Sequence, residues 1–502
     1  MLFLVAWSAC ASPSLVQPDT QDTGGETSST DTGAPLSDTP HDTGTRQEHD
    51  TDTTPDTVPG DTASPDSADT TMADDAQSNP DMADDVQDEP DTSTPDTSEP
   101  DTSEEPEAAH LPTRYPADAV HSPINAYVAA NLQAIADLED RQNQVFMKVG
   151  ASSTVNTNTL FCLATDDTHD LDGREELEPT LAFFRQGDAA GTTPFDRPTE
   201  AALSGRSAGW AMDGDPSPLD QEIAAIDPRY ALLHYGTNDM QLGTTYASAL
   251  YVFADRYLRL VEMNQEQGIV PLLFTIFPRG DRAEADRWVN TYNAVIRGVG
   301  QGLQVPVVDV HRAVLPLPDR GLSSDGIHPN VYRSGGQSRA CIFTPDGLQY
   351  GFNVRNLVTL EALHRLRLAV AEELPPDREG IPIPGDGSPD APIVIEELPF
   401  THMADTRESP HRNLDRYSGC NANQNESGPE ILYRLQLDTE ARLRFMLFDQ
   451  GEVDIDLHIL DASATEEGCL ARNHQILQGR LPAGTYHLAL DTFVSNAGTV
   501  FE

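Results

Sequence analysis

Between residues 124 and 373, short and almost wholly apolar runs alternate with amphipathic stretches, and this alternation limits the fold more than any other feature of the chain. The runs cover 145–149, 230–235, 269–277 and 305–310, with turn signals at Gly150, Asp227-Pro228 and Gly236. Strands apolar on both sides suit a parallel sheet covered on both faces. Between them, Ile124, Val128, Leu132, Ile135 and Leu138 recur at helical spacing and predict a helix over 124–140. Leu250, Phe253, Ala254, Tyr257 and Val261 form the buried stripe of a second helix over 245–267, closed by Gly268. Further helices are predicted over 282–299 and 354–373. The whole reads as an α/β domain over 116–374.

On both sides of this domain the pattern changes. Residues 375–392 are rich in Pro, Gly and Asp without periodicity, and read as a linker. Beyond them, alternating runs at 431–435, 443–447, 457–460 and 486–490, with a turn at Pro482-Ala483-Gly484, predict a small all-β sandwich over 393–502. The pattern breaks off on a starting strand at Val500-Phe501. Before the α/β domain, residues 11–115 repeat Asp, Thr, Pro and Ser and hold much of the acid behind a net charge of -51. Such a segment buries too little apolar surface to offset its ordering entropy, so a disordered, extended spacer is expected. No basic patch offsets the acid, which excludes nucleic acid as a partner.

Met1 to Ala9 is apolar and ends in Trp7-Ser8-Ala9-Cys10. This resembles a bacterial lipoprotein signal over residues 1–10, which implies lipidation at Cys10, export, and anchoring at the outer membrane or cell surface. An ordinary cleaved export signal, giving a secreted or periplasmic protein, is the alternative. Of the other cysteines, Cys162 and Cys341 fall in the α/β region and Cys420 and Cys469 in the C-terminal region. One disulfide per domain uses all four in an oxidising compartment, with buried thiols as the alternative for Cys162 and Cys341. No Cys-x-x-Cys or His-x-x-x-His spacing indicates zinc.

Three segments at strand ends carry the chemistry: Gly150-Ala151-Ser152-Ser153, Gly236-Thr237-Asn238-Asp239 and Asp325-Gly326-Ile327-His328-Pro329. Each alone has a structural explanation as a turn, a cap or a local hydrogen-bonded pair. Together, in this order, they resemble the SGNH hydrolases, also called GDSL esterases and lipases. The resemblance covers roughly 144–368 and implies a flavodoxin-like three-layer α/β/α fold. It implies Ser152 as nucleophile, His328 as base and Asp325 as the group orienting it. Asn238 would be an oxyanion donor. Ser204-Gly205-Arg206-Ser207-Ala208 is similar to the family's second block, whose glycine donates a backbone N–H; Gly205 is the assignment and Gly209 the fallback. Such chemistry needs no metal and no cofactor. The Gly-x-Ser-x-Gly elbow of ordinary α/β-hydrolases is absent around Ser152.

The family usually has Asp where this chain has Ala151, a carboxylate that braces the nucleophile loop. Ser153 is a neighbouring candidate at the wrong offset. Asp309 with His311, and the in-strand His234, read as structural residues. The C-terminal region resembles prepeptidase C-terminal (PPC-like) sandwich modules through Gly428-Pro429-Glu430, Asp454-Ile455-Asp456 and Pro482-Ala483-Gly484-Thr485-Tyr486. Asp454 and Asp456 alternate on one strand and have the ligand type for calcium, with a solvated acidic edge as the plainer reading. The expected function is an exported, lipid-anchored serine ester hydrolase acting on a small-molecule or glycan ester, such as acylated carbohydrate or short-chain esters. The alternative is a non-catalytic adhesin or carbohydrate-binding protein on the same scaffold.

Overall fold

The computed structural model describes residues 2–6, 111–374, 379–422, 424–450 and 453–495. Cys10, nearly all of the expected spacer and Val500-Phe501 lie outside the described residues. β1 (Leu2–Ala6) opens the chain but pairs within the C-terminal sandwich. The α/β region begins with α1 (Ala126–Ala136), β2 (Gln142–Gly150), α2 (Ser152–Val155) and the short β3 (His169–Asp170). It continues through α3 (Glu178–Arg185), α4 (Ala208–Ala211), α5 (Pro218–Ile226), β4 (Pro228–His234) and α6 (Tyr246–Glu266). Then come β5 (Val270–Phe274), α7 (Ala283–Gly302), β6 (Val307–Val308) and α8 (Val310–Val314). A hairpin of β7 (Arg333–Ser334) and β8 (Gln337–Ser338) precedes β9 (Cys341–Ile342) and α9 (Gly351–Leu366).

The main sheet runs β2-β4-β5-β6, all parallel. A parallel bridge from Gly150 to Ala202 adds a fifth, minimal member beside β2. In chain order the members therefore lie second, first, third, fourth, fifth, the flavodoxin-like doubly wound arrangement. Every residue of β4 and β5 is buried, which is why those runs are apolar without alternation. The α6 helix buries Leu250, Phe253, Tyr257 and Val261 and starts in a capping box from Thr245 to Ser248. Two boundaries differ from expectation for local reasons. β6 is shorter than 305–310 because Asp309 turns to cap α8, its side chain accepting from Arg312 N–H at 2.9 Å. α1 stops at Ala136, and Leu138 stays exposed.

The C-terminal region is a sandwich of β10 (Ile393–Ile395), β11 (Phe400–His402), β12 (Glu430–Leu437), β13 (Ala441–Leu447), β14 (Ile455–Leu460), β15 (Cys469–Asn473), β16 (Ile476–Leu481) and β17 (Gly484–Thr492). One sheet runs β11-β1-β13-β16 and the other β10-β12-β17-β14-β15. β13 is buried on both faces. Its Leu443, Phe445 and Leu447 enter the sandwich core, while Met446 and the following Phe448 join the α/β core. Tyr251 of α6 meets the Phe448 ring at 4.6 Å and donates to Gln475 O at 2.6 Å.

Contacts extend beyond the expected boundaries, and one expectation is corrected. The α/β region starts before residue 116: Thr113 and Tyr115 are buried, and Tyr115 donates to Val305 O at 3.1 Å. The segment read as a linker is packed where it is described. Ile381 accepts from Arg114 N–H at 2.7 Å and donates to Thr113 Oγ1 at 2.7 Å. Leu2–Ala6 lies between β11 and β13 as an antiparallel strand. Asp456 is not part of a solvated edge: it is fully buried and bound to Arg472 and His474, each at 2.8 Å.

Candidate active site

The site lies at the carboxyl ends of β2, β4 and β5, where doubly wound sheets open their crevice. β2 ends at Gly150, where a Cβ would stand 2.2 Å from Thr154 Oγ1 and 2.9 Å from His234 O, so only glycine permits this approach. The chain then turns into α2, whose first residue is Ser152. At that position the backbone N–H has no acceptor within the helix and is left for the crevice. Ser152 Oγ is 2.7 Å from His328 Nε2, and His328 Nδ1 is 2.7 Å from Asp325 Oδ2.

The Asp325 loop organises itself. Oδ1 accepts from Ile327 N–H at 2.9 Å, His328 N–H at 3.0 Å and Ser323 Oγ at 2.8 Å. Partial burial acts to raise the Asp325 pKa, but these donors and the His328 ring outweigh it and hold the carboxyl well below the usual carboxylate range. Gly326, at φ 68°, lets the loop lie against the 280–281 turn, where Gly280 N–H donates to Gly326 O at 2.6 Å.

Asn238 Nδ2 donates to Arg206 O at 2.9 Å, which ties the third block to the second. Asp239, fully buried, adds a second tie, accepting from Ala208 N–H and Gly236 N–H, both at 2.9 Å. Burial pushes its pKa up to about 6 against the pull of those two donors. The cavity at the centre is small, about 20 Å³, and its lining includes Ser152, Arg206, Asn238, Phe277 and His328. Gly205 is exposed just outside this lining, beside Arg206. Gly209 lies within α4 against the Arg256 side chain and does not line the cavity.

Sequence reasoning missed the bracing beneath Ser152. Arg355, on α9, is buried; its Nη1 donates to Ser153 O at 2.5 Å and to Thr159 Oγ1 at 2.8 Å. Thr159 Oγ1 donates to the same carbonyl at 2.5 Å. Among the described residues no carboxylate pairs with Arg355, and burial alone pushes its pKa down to about 9. Asn356 donates from Nδ2 to Asn158 O at 2.8 Å and Ala340 O at 3.1 Å. Lys148, within β2, donates to Phe195 O at 2.8 Å, and burial pushes its pKa down to about 7. A lysine inside an apolar run was a readable signal of burial; nothing local marked Arg355.

His234 departs from the satisfied core histidine that was expected. It lines the cavity, and its Nδ1 has no partner among the described residues. Burial, reinforced by Arg355, lowers its pKa well below the ordinary value, which keeps the ring neutral. Asp309 pairs with Arg297 at 2.6 Å and accepts from Thr275 Oγ1 at 2.9 Å, away from the cavity lining. Disulfides join Cys162 to Cys341 and Cys420 to Cys469, with Cα–Cα distances of 5.8 and 5.2 Å. Among the described residues no helix is long and apolar enough to cross a membrane, and no group of three or more potential ligands is arranged to hold a metal.

Residues 178–332 match the GDSL-like lipase/acylhydrolase family. The match takes in Gly205, Asn238, Asp325 and His328 and begins after Ser152. No curated protein matches the chain. Similar solved structures include a GDSL-like lipase from Bacteroides thetaiotaomicron, 13% identical, covering 47% of this chain and 96% of that one at a TM-score of 0.28. An acetyl xylan esterase is 16% identical over 43% of this chain and 97% of its own, at a TM-score of 0.28. A catalytic mutant of an acetylxylan esterase from Geobacillus stearothermophilus is 14% identical over 43% and 93%, at 0.27. Over residues 178–332, then, the α/β region is similar to the GDSL-like lipase/acylhydrolase family, on a parallel-sheet α/β fold of SGNH-like type.

Proposed function

We propose that Ser152 is the nucleophile of this domain, His328 its general base and Asp325 the group that orients the imidazole. The observation that carries the reading is the unbroken chain of 2.7 Å contacts from Ser152 Oγ through His328 to Asp325. His328 Nε2 takes the hydroxyl proton as Oγ bonds to the ester carbonyl carbon. The carbonyl oxygen becomes an oxyanion that the Ser152 N–H and the Asn238 amide meet, with the Gly205 N–H, beside the lining, as the third donor. One such donor contributes about 3 kcal/mol of transition-state stabilisation. The intermediate collapses, the C–O bond to the alcohol breaks, and His328 returns the proton to the departing oxygen. Water, deprotonated by His328, then cleaves the acyl-serine and releases the acid.

Substrate size follows from the cavity. The cavity beside Ser152 is small, about 20 Å³, which favours a short acyl group such as acetyl over a long chain. Arg355 and Thr159, clamped on Ser153 O, brace the nucleophile turn in place of the carboxylate that Ala151 lacks. Export is part of this reading, supported by two disulfides and the apolar start of the chain. Lipidation at Cys10 and a PPC-like accessory sandwich complete it.

A fluorophosphonate probe tests the nucleophile: labelling of the intact chain should disappear in Ser152→Ala. A wild-type protein that neither labels nor hydrolyses p-nitrophenyl acetate is not an esterase. For the anchor, an alkyne fatty acid fed to expressing bacteria should label the wild type and not Cys10→Ala.

A further inference from the structure

Two loops leave the catalytic cavity together and meet again around a second one. The segment after β4 lines the first cavity with Gly236 and Asn238 and the second with Met240, Gln241 and Tyr246. The segment after β5 lines the first with Phe277 and the second with Arg282. This second cavity is far larger, about 390 Å³. Its aromatic wall is the stacked pair Tyr246 and Trp288, with ring centres 6.3 Å apart. Its rim carries Gln241, Thr244, Arg282 and Glu284.

The wall is held from behind by the other domain. Arg444 of β13 lays its guanidinium carbon 3.6 Å from the Trp288 ring centre and donates to Thr291 Oγ1 at 2.6 Å. The turn below is fixed by Arg279, which grips Asp281 at 2.7 and 2.8 Å. The cavity is therefore built from braced parts, with aromatic surface beside groups that both donate and accept hydrogen bonds.

We propose that this cavity is a subsite for a further sugar ring of the alcohol part of the ester. The proposal rests on the esterase reading of Ser152. An aromatic wall covers the apolar C–H face of a pyranose, and the amide, hydroxyl and charged groups of the rim meet its hydroxyls. Arg282 and Glu284 carry one charge of each sign, so the site has no net demand for an ionic ligand. An acyl tail fits poorly against so polar a rim, and the acyl seat is the smaller cavity beside Ser152. Binding energy gathered here, away from the reacting bond, favours oligosaccharide esters over small ones.

The test compares three acetyl esters on the full chain: p-nitrophenyl acetate, an acetylated methyl xyloside with one ring, and acetylated xylotriose. Wild-type kcat/KM should rise about tenfold from one ring to three, mostly through KM. Trp288→Ala should remove that gain while lowering p-nitrophenyl acetate hydrolysis far less. Because Trp288 supports Arg444, the paired substitution Gln241→Ala with Thr244→Ala repeats the test at the rim. Equal rates for one and three rings, or a gain that survives both variants, overturns the subsite. Should no ester be hydrolysed, the esterase reading fails alone, and tryptophan fluorescence with acetyl-free xylotriose decides the subsite. A saturable change lost in the rim variant upholds it, and no change overturns it.

Discussion

The two halves of the proposed triad are supported in opposite ways. The Asp325–His328 loop is half exposed and holds itself together, with all four of Asp325's hydrogen bonds running to residues within three positions, one of them to the His328 ring. Ser152 sits on a short helix braced from far along the chain, by Arg355 at Ser153 O and by Asn356 at Asn158 O. Acid and base are thus a local motif, and the nucleophile is a tertiary product. Damage to the first half should strike chemistry while sparing the fold. Damage to the second should strike positioning.

The largest effect is expected from Asp325→Asn, about 10⁴-fold in kcat, since the imidazole loses the partner that sets its tautomer. Thermal stability should barely change, and a large drop in Tm would show the loop to be less self-contained than its contacts imply. The pH profile sharpens this point. The Asp325 carboxyl is depressed, so it stays ionised, and its stabilising contribution stays present, above the unfolded pKa of about 3.9; it is lost only as pH falls through the lower folded value. The acid limb of kcat/KM above pH 4 should therefore show no inflection from Asp325, which a wild-type profile checks.

Opening the Cys162–Cys341 disulfide attacks the link between the halves, since it joins the segment after Ser152 to the segment after His328. Replacing both cysteines with Ala should cost about 5 kcal/mol from loop entropy, measured by denaturant unfolding, with kcat kept where the protein remains folded. Arg355→Met should lower kcat roughly 10- to 100-fold with a smaller change in KM, because the turn carrying Ser152 loosens. Arg355→Lys should recover part of the loss if donation to Ser153 O is what matters. Full activity in Arg355→Met would remove Arg355 from the bracing. The smallest effect is expected from Ala151→Asp, within about threefold, since a carboxylate there finds Arg355 and Thr159 already holding the turn. A loss beyond tenfold would mean that the nucleophile segment has no room for it.

This contrast also explains what was legible beforehand. Asp325 and His328 stand three residues apart, and their geometry follows from one loop, so the sequence displays it. The strands were legible because β4 and β5 are buried on both sides and admit little but apolar side chains. Arg355 was not legible. Its position on α9 looks like any arginine on a helix, and only the packing of that helix beneath residues 153–159 gives it a role. Asp239 was visible as part of a turn, but its grip on Ala208 N–H is a contact across 31 positions. The sandwich followed the same rule: its alternation was readable along β13, yet nothing local marked Arg444, Met446 and Phe448 as contacts with the α/β region.

Those three side chains change what counts as a separable piece of this molecule. A chain cut at Leu374 would keep every group named in the triad and the sheet that presents them. It would also uncover the side of α6 that Phe448 covers, and would leave Trp288 on α7 without the cation laid against it. The boundary written in the chain between hydrolase and sandwich is thus not a boundary in the core. For dissection by truncation, the smallest faithful unit is the two domains together, and a shortened enzyme that loses its preference for larger substrates would be reporting on a missing wall and not on a missing module.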